Sequence, residues 1–170
     1  MSTDSLERAQ PFHAGERLVQ QRLGVRERMA EIGSRVIRDH MPQQHRAFLA
    51  QLPFILVASV DALGRPWASL LVGEPGFLRS SDPRRMEISA RPVVGDPLTE
   101  SLQIGAPLGF LAIELQTRRR NRINGQVLAH DASSIVVQVA QTVGNCPQYI
   151  QGRTPHFVRD AHDLRPRAQD

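Results

Sequence analysis

The chain has no lysine. All 21 of its basic side chains are arginine, set against 17 acidic residues for a net charge of +4. So one-sided a usage reflects coding bias, which makes total arginine uninformative. Only local clusters of arginine carry meaning. Cysteine is nearly absent as well. The single Cys146 excludes an internal disulfide, offers no CxxC pair, and makes a cytoplasmic setting the expectation. Aromatic residues are only 5% of the chain, too few for the base-stacking platforms that bind single-stranded nucleic acid. No apolar run approaches the ~20 residues needed to span a bilayer. The opening MSTDSLERAQPFH carries acids and lacks the apolar stretch of a secretory signal. The six histidines are scattered without HxH or HExxH spacing, and no metal is expected. GxGxxG and Walker loops are missing too, against a Rossmann dinucleotide site or a P-loop.

What is present suits a single domain of 170 residues with a core large enough to fold alone. Residues 1–14 read as a lead-in. ERLVQQRLGV and RERMAEIGSRVIRDHM then place Leu18, Val25, Met29, Ile32, Val36 and Ile37 at helical spacing, punctuated by Gly15 and Gly24. Pro42 opens a second short helix that ends before Pro53. From there the pattern becomes β. FILVASV (54–60), the turn DALGR and PWASLLVG (66–73) predict a hairpin, followed by a turn at EPGF and a third strand at 84–90. Asp96 is placed as an N-cap with Pro97 at the first helical position, and Gly105 closes that helix. Strands at 107–116, through the arginine run, and at 133–143 bring the total to six. A loop or short helix follows at 144–152. The polar residues 158–170 are expected to fray. This order is not βαβ. It predicts a mainly β, α+β fold: a six-stranded antiparallel barrel with peripheral helices over residues 15–157.

The run TRRRNRING, Thr117 to Gly125, is the most specific local feature. If strand register continues through it, Arg118, Arg120 and Arg122 share one face, while Ile123, Val127 and Ala129 face the core. Three guanidinium groups on one face repel one another unless an anion lies among them. Their planar donor forks suit a phosphate. The bland reading is a charged edge strand that resists aggregation. Trp67 and Ser69 share a strand face with Leu71, as ligand contacts or as ordinary core. Cys146 reads as a loop residue and His13 as a turn partner.

The order of helix, FILVASVDALGRPWASLLVG, strand, short helix and RRRNRING resembles the pyridoxamine 5′-phosphate oxidase-like split-barrel flavoproteins. The openings FHAGE (12–16) and GNCPQYIQ (144–151) resemble a related FMN-binding subgroup, over about residues 12–152. The resemblance implies a split β-barrel and FMN (FAD possible) held at the interface of a homodimer. The flavin ring would lie along Trp67, Ala68, Ser69 and Leu70. The phosphate would be held by Ser89 and Arg91 with Arg118, Arg120, Asn121 and Arg122, and Asp96 and Pro97 would line the site through helix N–H groups. GNCPQYIQ would reach the partner's flavin. The chain departs from the family in lacking both the C-terminal arginine- and histidine-bearing substrate motif and the lysine phosphate ligand, so vitamin B6 oxidation is not implied. No catalytic side chain is assigned, because the flavin itself would carry the chemistry.

Three functions follow for comparison. The first is a flavin-dependent oxidoreductase that takes electrons from NAD(P)H or another donor. The second is a non-enzymatic flavin carrier that needs a separate reductase. The third is a basic nucleic-acid-binding barrel, which predicts affinity falling steeply with salt.

Overall fold

The computed structural model describes residues 11–166. Three helices come first: α1 (Ala14–Arg22), α2 (Arg26–Val36) and α3 (Gln43–Ala50). His13 starts α1 through a capping box. Its Nδ1 accepts from the backbone N–H of Gly15 and Glu16, while the Glu16 carboxylate accepts from the His13 N–H. Gly24, at φ +67, separates α1 from α2 in a conformation that glycine adopts without steric cost. Phe12 packs so closely on Gly33 of α2 that a Cβ there would lie 2.5 Å from its ring. The apolar residues expected to bury α1 and α2 stay largely outside: Leu18, Ile32 and Val36 are each at least 40% exposed. Of these three helices α3 feeds the core, its Phe48 and Leu49 buried together with Met41 and Leu52.

One antiparallel sheet makes up the rest. Its strands are β1 (Phe54–Val60), β2 (Pro66–Val72), β3 (Leu78–Arg79), β4 (Arg85–Ile88), β5 (Pro107–Glu114), β6 (Arg119–His130) and β7 (Ile135–Asn145), in the spatial order β2-β1-β5-β6-β7-β4-β3. The sheet curls into a half-barrel with a few helices, and it has seven strands where six were expected. The extra strand is β3. It lies just beyond the EPGF turn and pairs with β4 through only two residues, too short to show an alternating pattern. The expected helix at 96–105 shrinks to α4 (Leu98–Ser101).

The inward face carries the core: Ile55 and Val57 of β1, Leu71 of β2, Phe110 and Ala112 of β5, Ile123 and Val127 of β6, and Val137 and Val139 of β7. Two irregularities interrupt the β6–β7 ladder, after Asn124 and after Val127. The second explains why Ala129, expected in the core, is exposed. One extra residue in the strand shifts everything beyond it to the other face. The first sits beside Gly125, where a Cβ would come within 2.3 Å of the Gln138 carbonyl oxygen.

The edge strand β2 is tied down by side chains rather than by a further strand. At its start Asp61 accepts from the backbone N–H of Leu63 and Arg65, from Arg65 Nε and from Trp67 Nε1. These bonds, first of all the one from Trp67, hold its carboxyl well below the usual carboxylate range. In mid-strand Ser69 Oγ donates to Asp96 Oδ1 over 2.6 Å.

Candidate functional site

The outward face of the sheet has a composition of its own. Strand register lines up Leu70, Leu56, Leu111, Arg122 and Val143 as one row across five strands. The neighbouring row runs Ala68, Ala58, Gly109, Asn124 and Gln141. An apolar strip over the hairpin thus gives way to polar and cationic side chains on β6. At ordinary strand spacing β2 and β6 lie about 14 Å apart.

A cavity opens at each end of this face. The first, about 290 Å³, lies against Phe54, Leu70 and Val72 of the hairpin, with Arg91 and Val93 beside them and residues 155–164 as its other wall. Residues 158–166, part of the tail expected to fray, instead run back along the hairpin, and 167–170 lie outside the described residues. The 158–166 stretch is held there by a backbone bond from Val94 N–H to the Leu164 carbonyl. Asp163 braces it by accepting from Arg165. The second cavity, about 430 Å³, lies between the start of α1 and the strands β6 and β7. His13 and Glu16 face Arg122, Asn124 and Gln141 across it.

The residues named from sequence divide between these places. Leu70 and Arg91 meet at the first cavity. Ser69 faces inward and is buried, and its hydroxyl is bonded to Asp96. Asp96 also accepts from Leu98 N–H, so this carboxylate already occupies the helix N–H that was expected to meet a ligand. Pro97 is the residue before α4, whose four residues are too short to gather a useful dipole. Trp67 is 39% exposed, but its indole N–H serves Asp61 at 3.0 Å and Arg65 stacks over its ring. Its side chain thus closes the turn before β2. Ala68 is exposed. Ser89 is exposed too, and its backbone N–H bonds to Phe77 O.

The arginine run does not act as a unit. Arg118 is not in strand register: it stands in the turn before β6 with φ +62. Sequence gave no glycine or asparagine there to mark a left-handed position. Arg119, which was not singled out, faces α3. Its guanidinium stacks 4.4 Å from the Phe48 ring centroid and donates to Gln44 O, so it docks the helix. Arg120 and Arg122 do share the outward face. Arg120 Nε donates to Cys146 O and Arg122 Nε to Asn145 Oδ1, which fixes the start of the GNCPQYIQ loop on β6. Asn121 points the other way. It is 4% exposed and its Nδ2 has no partner in the core. Cys146 is exposed, and Tyr149 is 99% exposed with φ +68. Among the described residues no group of three His, Cys, Asp or Glu side chains gathers as a metal site would require. No helix of the described residues is long and apolar enough to cross a membrane.

No family model matches the chain, and no curated protein does either. Solved structures of similar shape do exist. HupZ of Group A Streptococcus is 12% identical, with a TM-score of 0.48 over 67% of this chain and 99% of that one. An F420 reductase is 11% identical, with a TM-score of 0.42 over 62% of this chain and 98% of that one. HutZ, described as the heme storage protein from Vibrio cholerae, is 10% identical, with a TM-score of 0.41 over 62% and 95%. Likeness at these values decides nothing about the ligand of this chain.

Proposed function

We propose that the protein binds a flavin mononucleotide, with the ring in the apolar cavity beside β2 and the phosphate toward Arg91 and Ser89. We further propose that it acts as a homodimeric oxidoreductase. The observation that carries this reading is the meeting of Leu70 and Arg91 at one apolar cavity next to an edge strand. A flavin ring needs flat apolar walls along its sides and hydrogen-bond partners along one edge. Phe54, Leu70 and Val72 supply the walls. An edge strand leaves a row of backbone N–H and C=O groups without a strand partner, and at Ala68 to Leu70 these suit the polar edge of the ring. About 290 Å³ lies at the lower end of small-molecule sites, so it suits the ring, with the ribityl phosphate outside it. Arg91 donates one N–H to Asp131 O and keeps the rest of its fork for the phosphate, where a charge-assisted bond contributes about 1.5–3 kcal/mol.

When bound, the flavin supplies the hydride and electron chemistry. The residues of this chain position it, screen one side of it with the 155–164 segment, and balance its charge. Arg120, on the outward face of β6, suits the ligand of a second copy. The half-exposed strip of Leu56 and Leu111 beside it supports covering by that copy.

The test is an absorbance spectrum of the purified protein after FMN addition and desalting. Retained oxidised-flavin bands that disappear in Arg91→Gln are the expected result. No retained flavin at low salt would overturn the reading. Turnover with NAD(P)H alone then separates an enzyme from a carrier, which would exchange electrons only once a reductase is added.

A further inference from the structure

We infer that the cavity between the start of α1 and the strands β6 and β7 is a second binding site, for a small zwitterion carrying both a carboxylate and an amine, such as a free amino acid. The inference rests on two opposite charges that face one cavity and do not meet. Arg122 and Glu16 both line it, yet they form no ion pair with each other. Among the described residues, Glu16 is within ion-pair reach of His13 only, and Arg122 bonds to Asn145 alone. Here each is anchored elsewhere. The Glu16 Oε2 atom is held at 2.9 Å by the His13 N–H in the capping box. Arg122 stands on the rigid β6 ladder, with Nε at 3.3 Å from Asn145 Oδ1. Its two terminal nitrogens have no partner among the described residues and are open for a fork-to-fork bond with a carboxylate.

The rest of the lining agrees with this chemistry. The side chains of Asn124 and Gln141 are joined only by a long 3.5 Å contact, which leaves both amides with donors and acceptors to spare. Ile37 and Val143 provide an apolar surface for a carbon skeleton. His13 Nδ1 is spent accepting from Gly15 and Glu16, so the neutral ring carries its proton on Nε2, on the side of Glu16. A simple anion at Arg122 would also face the Glu16 carboxylate, and a simple cation at Glu16 would face Arg122. A zwitterion of matching length satisfies both.

Ligand-observed NMR on the full-length protein tests this, with the free amino acids as probes and acetate and butylamine as controls of one charge each. Two variants remove one charge apiece. Glu16→Gln keeps the capping box, which accepts glutamine at this position, and so preserves α1. Arg122→Gln removes the fork. The expected result is saturable binding of one or more amino acids, weakened about tenfold by each variant, with both controls binding far more weakly. Three outcomes would overturn the inference: no amino acid binds, a control binds as tightly as the best amino acid, or Glu16→Gln leaves affinity unchanged. The readout does not depend on flavin, so failure here and failure of the flavin reading are told apart.

Discussion

The two faces of β6 are made from one stretch of chain and do opposite work. Inward, Asn121, Ile123, Gly125 and Val127 are buried. They are chosen by shape, down to a glycine that lets the Gln138 carbonyl approach. Outward, Arg122, Asn124 and Gln126 are exposed, and nothing about packing demands their identities. A residue on the first face is explained once its neighbours are known. A residue on the second is explained by the loop it holds, as Arg122 holds Asn145, and by what lies outside the chain. The difference marks where function is to be sought. The outward arginines carry more information than the inward asparagine, although all three stand within three positions of one another.

Mutations across the two faces should separate sharply. Ile123→Ala removes a side chain that is 1% exposed and should cost about 2–5 kcal/mol. Arg122→Ala, one residue away, should stay within about 0.5 kcal/mol. Urea denaturation of both measures the contrast, and equal losses would erase it. Gly125→Ala comes next. Its Cβ would lie 2.3 Å from a backbone oxygen and 2.8 Å from Val137 Cγ1. Neither atom can swing away as a flexible side-chain end would, so overpacking of about 1–3 kcal/mol is expected. Ser69→Ala carries the contrast to the sheet edge. It removes the bond to Asp96 and should cost about 1–2 kcal/mol. It should also loosen flavin retention, because that bond holds β2 beside the first cavity. Retention equal to wild type would show that the cavity does not need the clasp.

Much of this was legible in the sequence, and what was not has physical causes. The hairpin at 54–60 and 66–72 was readable because its turn chemistry at Asp61 and Gly64 is local. The alternation around Ile123 fixed the inward face of β6. Arg118 and Ala129 were misplaced for one reason: register was carried across points where the backbone leaves it, a left-handed turn residue and a bulge. Neither is marked by a residue type that requires such a conformation. Arg119 was missed because its partner Phe48 is 71 positions away, and no periodicity links a strand end to a helix face. The division of the arginines between two cavities was equally invisible. It depends on the curl of the sheet and on where α1 and residues 155–164 come to rest.

The smallest expected effect concerns the inward side of α3 and is read by pH. His45 is 5% exposed and its Nδ1 has no partner. Burial lowers its pKa from 6.5, and the nearby positive charges of Arg38, Arg119 and His40 lower it further. In the unfolded chain the same ring titrates at its ordinary value. As pH falls below 6.5, the unfolded state takes up a proton that the folded state refuses, so stability falls with pH. Above 6.5 both states are neutral and the contribution is flat. The slope is at most that of one proton. Urea midpoints at pH 7.5 and 5.5 for the wild type and His45→Gln should therefore show a loss in the wild type that the variant lacks. The window is clear of Asp39, whose carboxyl the His40 and Arg84 bonds hold at about 2 and which loosens the fold only as pH falls below the usual carboxylate range. An equal loss in both proteins would mean that the inward face tolerates a charged imidazole, and that the contrast between the two faces is weaker on the side of the helix than on the side of the sheet.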